Sequence, residues 1–154
     1  MRTRLRIRHR TLLAATVLAT AVLAGGCTGP SAEDVAGHAL TQGSAQVAVT
    51  GGTEVSYEVP LERAQVGGAA TVLVYSSGGD LFSITGLGIE GSAKSGPTLP
   101  VVLSHGSLLA TSSEGECTIE LHDADDGVTG TASCSGLDSS QGTIDVHATF
   151  SATP

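Results

Sequence analysis

From residue 45 onward the chain is a series of short runs in which every second position is apolar, separated by glycine-rich turns. In "TEVSYEVPL", Val55, Tyr57, Val59 and Leu61 alternate with Glu54, Ser56 and Glu58. That period of two belongs to a strand with one buried face. The preceding run "AQVAVT" and the Gly51-Gly52 pair between them predict a two-residue hairpin. "ATVLVYS", "SGGD" and "LFSIT" predict a second hairpin, whose first strand is more continuously apolar and is expected at the centre of a sheet. "LPVVLS" and "GSLLATS" follow across His105-Gly106, with Pro97 and Pro100 marking an edge or a loop.

The pattern is clearest toward the C-terminus. Cys117, Ile119 and Leu121 alternate with Thr118, Glu120 and His122. After an Asp-Asp-Gly turn, Val128, Ala132 and Cys134 alternate with Thr129, Thr131 and Ser133. Ile144, Val146, Ala148 and Phe150 then alternate with Thr143, Asp145, His147 and Thr149. These segments predict three consecutive half-buried antiparallel strands. In all, about seven or eight short strands are expected over residues 45–152, as an all-β antiparallel β-sandwich or partly open barrel. No internal repeat of fixed period is visible.

Before residue 45 the pattern changes. Arginines at positions 2, 4, 6, 8 and 10 precede an uncharged, largely apolar run over residues 11–26. A basic start followed by a short apolar core is the make-up of a secretory signal peptide. The run falls short of the roughly 20 residues that a membrane span requires. With no Arg-Arg pair, the general secretion route is expected. "LAGGC" (Leu23 to Cys27) resembles the lipobox of bacterial lipoproteins, with Ala24 where leucine is usual. The resemblance implies that Cys27 carries a diacylglyceryl group and becomes the N-terminus after cleavage, with palmitate-type acyl chains anchoring it to the extracytoplasmic face of the cell membrane. The alternative is an ordinary signal peptide cut nearby, with Cys27 a free or paired thiol.

The expected organisation is therefore a signal peptide (1–26), a lipidated N-terminus and tether (27–44) and a β domain (45–152). Residues 31–42, "SAEDVAGHALTQ", read either as a short helix with Ser31 as N-cap or as a mobile linker. A tether of this length spans at most roughly 60 Å.

Charge narrows the partners. Of seven basic residues only Arg63 and Lys94 follow the signal, against all fifteen acidic ones, a formal charge of −13. Nucleic acid is excluded as a partner, because its binding rests on neutralising phosphates with Lys and Arg. Anionic headgroups would be repelled too, which leaves the acyl anchor as the expected membrane contact. Asparagine and tryptophan are absent, and Tyr and Phe occur twice each. The chain from Cys27 onward is long enough for one domain with a core.

With Cys27 acylated, Cys117 and Cys134 are an even pair in an oxidising compartment. A turn centred on Asp125-Asp126 puts them opposite each other on the inward face. A structural disulfide is expected, with two buried thiols as the alternative; without a Cys-x-x-Cys it is no redox centre.

Other motifs carry less. "GLGIEG" (Gly86 to Gly91) matches G-x-G-x-x-G, but Gly96 and Pro97 stop the helix that a dinucleotide site needs. "DADDG" (Asp123 to Gly127) approaches a calcium loop, with the third acidic residue one place early and no glutamate at the required distance. It reads as an acidic β-turn, with weak divalent binding by Glu120, Asp123, Asp125 and Asp126 left open. His122 and His147 are expected on solvent faces with another strand between them, too far apart to share a metal. His38 and His105 look isolated. Ser104 and His105 are adjacent strand residues facing opposite ways, and no G-x-S-x-G elbow is present. No catalytic residue, metal site or cofactor is predicted.

From Asp126 onward, "DGVTGTASCSGLDSSQGTIDVHATFSATP" is similar to the closing strands of small actinobacterial lipoproteins such as the mycobacterial nineteen-kilodalton lipoprotein antigen family. That resemblance implies a β-sandwich-like, surface-exposed, antigenic lipoprotein without known catalysis. Its family bridge joins an early strand to the C-terminus, whereas Cys117 and Cys134 sit in one hairpin. The expected function is a non-catalytic binding or structural module of the cell envelope, with an envelope protein, wall polymer or lipid as partner. A carrier of apolar lipids or glycolipids is the alternative, to be recognised by an internal aliphatic cavity.

Overall fold

A computed structural model describes residues 38–67, 70–89, 91–124 and 126–154. The signal segment, Cys27, residues 28–37 and Asp125 lie outside the described residues. Those described form antiparallel strands and no helix: β1 (His38–Leu40), β2 (Gln42–Gly51), β3 (Val55–Val66), β4 (Ala70–Ser77), β5 (Asp80–Leu87), β6 (Gly91–Lys94), β7 (Val101–His105), β8 (Leu108–Thr111), β9 (Cys117–Ala124), β10 (Gly127–Ser139) and β11 (Gly142–Thr153). Strands β2, β3, β4, β5, β7, β8, β10 and β11 pair in that order, and β11 returns to β2. The result is a closed eight-stranded antiparallel barrel. β1 pairs with the far end of β3, while β9 lies on β10 and β6 on β9 as an extension beside the barrel.

Closure is thinnest between β8 and β10, where the register is a single pair, Ser139 opposite Ala110. Ser140 reinforces it. Its N–H donates to Leu109 O at 3.2 Å, and its Oγ accepts from Leu109 N–H at 3.0 Å and donates to Ser107 O at 2.7 Å. β10 can serve both β9 and β8 because an irregularity between Cys134 and Leu137 shifts its register against β11, with Gly136 at a φ of +72°. The barrel is thus closed, where the sequence had suggested a sandwich or a partly open barrel. Ring closure removes the exposed edges that an open sheet would present.

The hairpin expected at "SGGD" forms, with Ser77 paired to Asp80 across Gly78-Gly79. The break expected at His105-Gly106 falls one residue later: His105 closes β7 and pairs with Leu108 across Gly106-Ser107. Pro97 and Pro100 lie in the connection between β6 and β7. Two expectations are corrected. Gly51-Gly52 is not a two-residue turn, since β2 and β3 pair only from Val49 and Val55 outward. Instead Gly51 extends β2 along β11, and Gly52 N–H donates to Thr143 O at 2.9 Å. A Cβ at Gly52 would come 2.5 Å from Gln141 O, so the glycine permits that close approach. The strand from Ala70 alternates rather than being buried on both sides, because a barrel has no central strand.

The boundary at residue 45 also moves. β1 starts at His38, opposite Val66, and β2 starts at Gln42, opposite Thr153. Residues 38–40 and 42–44 are therefore extended, and the helical alternative for 31–42 fails over the part described. Ten residues remain between Cys27 and β1, a contour of roughly 35 Å.

The interior is filled by alternate residues from every strand of the barrel. Val47, Val59, Leu73, Ile84, Leu103 and Leu137 are fully buried. At the centre Tyr75, Phe82 and Phe150 meet pairwise with ring centroids 6.1–6.3 Å apart, within the range of favourable aromatic contact. The Tyr75 hydroxyl donates to Ser151 O at 3.2 Å, tying β4 to β11 across the interior.

Candidate functional site

Strand direction gives the barrel two unlike ends. One, the turn end, gathers the tight connections at Gly78-Gly79, Gly106-Ser107 and Ser140-Gln141. The other, the open end, gathers the start of β1, the ends of β3, β5, β9 and β11, and the longer connections around β6. The chain N-terminal to the barrel reaches it at this open end.

Two half-open hollows lie there side by side. The first, of about 430 Å³, is lined by Ala39 and Leu40 of β1, Val66 of β3, Asp123 and Ala124 of β9, Gly127 and Pro154. The second, of about 380 Å³, is lined by Val66, Gly67, Ile89, Gly91, Leu121, His122 and Asp123. Leu40, Val66, Ile89 and Leu121 are buried beneath them as the outermost layer of the core. Val66 and Asp123 belong to both hollows.

Asp123 is the residue out of pattern. Along β9 the inward face runs Cys117, Ile119, Leu121, and the next inward position is Asp123, paired with the buried Val128. An aspartate on the apolar face is tolerated because β9 has passed the barrel wall there and the carboxylate reaches solvent. Its burial deeper in the wall, without a partner, would be costly. In the sequence Asp123 opens an acidic turn and stands with Glu120, Asp125 and Asp126 as a possible weak divalent site. The strand separates them: Glu120 faces outward opposite Thr131, and Asp126 lies in the exposed turn. Among the described residues no three His, Cys, Asp or Glu side chains come together as metal ligands.

The cysteines meet as predicted. Cys117 and Cys134 are directly opposite, disulfide-bonded and buried. Cys117 N–H donates to Ser95 Oγ at 2.9 Å, and its carbonyl accepts from Ser95 N–H at 2.9 Å. Both groups point away from β10, so the pair is a non-hydrogen-bonded one, in which opposed Cα atoms approach most closely.

His122 and His147 are exposed and lie on either side of β10, opposite Thr129 and Ser133, as the alternation required. His105 is not isolated. At the turn end its ring stacks on Tyr57 with centroids 4.6 Å apart and 16° between planes. Its buried Nδ1 lies 3.0 Å from Asp80 Oδ1 without the geometry of a directed hydrogen bond. Burial, and then the Asp80 charge, push the Tyr57 hydroxyl well above the usual tyrosine range. These three residues come from β3, β5 and β7, and no local spacing could have joined them. Ser104, pointing elsewhere, has its Oγ 3.3 Å from Gly79 O. "GLGIEG" ends β5 and leads through a short connection to β6, with no helix to meet a pyrophosphate.

Fold and site together define a small, closed, filled antiparallel barrel with a hollowed open end carrying one inward carboxylate. No known protein family, curated protein or solved structure matches the chain.

Proposed function

We propose that this chain is a cell-envelope lipoprotein, anchored through acylated Cys27 to the extracytoplasmic face of the membrane and acting as a non-catalytic binding or structural module. The single observation that carries the reading is the arginine-rich, apolar and small-residue sequence ending in "LAGGC". The arrangement of the barrel agrees with it, because the chain from Cys27 would reach the barrel at the open end and hold that end toward the bilayer. Two or more acyl chains hold a protein stably where one does not. Kinship with the mycobacterial lipoprotein antigen family belongs to the same proposal.

The filled barrel favours a module over a lipid carrier. Tyr75, Phe82 and Phe150 occupy the axis, and the hollows lie at the mouth rather than within. The test is metabolic labelling with an alkynyl fatty acid in an actinobacterial host, comparing the full chain with Cys27→Ser. The full chain should take up label and sediment with membranes, while the variant should carry no label and leave the membrane fraction or persist as an uncleaved precursor. Label retained by Cys27→Ser, or absent from the full chain, would sink the anchor.

A further inference from the structure

The barrel is held unequally around its ring. Every other pair of neighbouring strands carries a register of four or more residue pairs, but β8 and β10 share only Ser139 opposite Ala110. Ser140 and Gln141 supply the rest from exposed positions. Ser140 exchanges bonds with Leu109 and donates to Ser107 O, while Gln141 Nε2 donates to Ser107 Oγ at 2.9 Å. From this geometry we infer that the β7–β8 hairpin is a flap, which swings off β10 by local opening while the rest of the barrel stays folded, with Ser140 as its latch.

The two sides of the hairpin differ in what opening gives up. On the β5 side, β7 has four register pairs, Ser104 Oγ donates to Gly79 O at 3.3 Å, and the His105 ring stacks on Tyr57 beside Asp80. At the base, Val101 N–H donates to Ser112 Oγ and Ser112 N–H to Val101 O, both at 2.9 Å. None of these contacts crosses to β10, so all survive the swing and form its hinge. On the β10 side, water replaces the bonds of Ser140 and Gln141 at little net cost. Opening also uncovers Leu108, Ala110 and Leu137, whose burial keeps the flap shut most of the time. Global unfolding gives up that burial and the rest of the core besides, so the flap opens at a lower free energy. Opening stops beyond Leu137, where Ser135 N–H donates to Glu116 O at 3.0 Å and the Cys117–Cys134 bridge holds β9 on β10. The flap is independent of the anchor and of the binding-module reading.

The test uses residues 28–154, because the sheet, the disulfide and the core all close within residues 38–154. With Cys117 and Cys134 bridged, an introduced thiol is the only free one. Two buried alanines are replaced singly, Ala110→Cys on β8 and Ala148→Cys on β11, and labelled with a thiol reagent dilute enough that closing outpaces reaction. The thiol at 110 should label about tenfold or more faster than the thiol at 148, which global unfolding exposes. A bond that the flap gives up changes both openings, whereas a bond that the flap keeps changes global unfolding alone. Ser140→Ala should therefore speed labelling roughly tenfold at both positions, and Ser112→Ala roughly tenfold at 148 with little change at 110. In the unsubstituted chain, the Leu109 and Ser140 amides should exchange hydrogen about tenfold or more faster than the slowest amides of β2 and β11. Equal labelling at the two positions, no effect of Ser140→Ala at 110, an effect of Ser112→Ala as large at 110 as at 148, or Leu109 and Ser140 amides as protected as the slowest would each overturn the flap.

Discussion

Gly130 shows how much a single position can decide in this barrel. It occupies an inward site of β10 between Leu121 and Phe150, where alternation alone would admit an alanine or valine. A Cβ there would lie 2.5 Å from Phe150 Cζ and 2.4 Å from Glu120 O, so the glycine is the space that the ring fills. Gly130→Ala must displace both the ring and the backbone of β9. Overpacking of this kind typically costs about 1–3 kcal/mol. Urea unfolding should show that loss, and an unchanged stability would mean that the ring and the β9 backbone both shift without cost. Asp123 makes the complementary point: its residue type says acidic turn, and only its register on β9 says inward.

Among elements, the β9–β10 hairpin is the most fully specified. Alternation set its faces, Asp-Asp-Gly set its centre, and the two cysteines confirmed the register by meeting. With a sequence separation of 17, the bridge should contribute about 3 kcal/mol through the unfolded chain. Cys117→Ala with Cys134→Ala, or mild reduction, should lower unfolding stability by about that amount while the circular dichroism stays β-like. Complete unfolding at room temperature would show that the barrel depends on the bridge. The β2–β3 hairpin is the contrasting case. Gly51-Gly52 satisfied the local rule for a tight turn, yet β11 claims both glycines, a partner about ninety residues away in sequence and invisible to any local pattern. Likewise the sequence at β1 suits a tether or a helix, because three residues carry too little periodicity to announce a strand.

For the whole molecule, closure concentrates the aromatic residues inside, with consequences for its response to pH. Burial raises the Tyr75 hydroxyl far above its ordinary range, and burial with the Asp80 charge does the same for Tyr57. With both raised in the folded state, the unfolded chain ionises first, from about pH 10. The stability these tyrosines lend is fully present below that pH and is lost progressively above it. Thermal melts from pH 8 to 11.5 should show a falling midpoint above about pH 10, and Tyr57→Phe with Tyr75→Phe should flatten that fall. An equal fall in the double variant would assign the effect to other groups.

The sequence by itself determined the strand class, the inward and outward faces of the last three strands, the disulfide and the acidic balance, because each follows from alternation, turn chemistry or counting along a few neighbouring residues. Only the tertiary structure decided that the sheet closes, that its mouth is hollow and that Asp80, His105 and Tyr57 meet. Those outcomes depend on which distant strands become neighbours. That choice is made by the fit of whole faces around a shared core, and no stretch of the chain carries it alone.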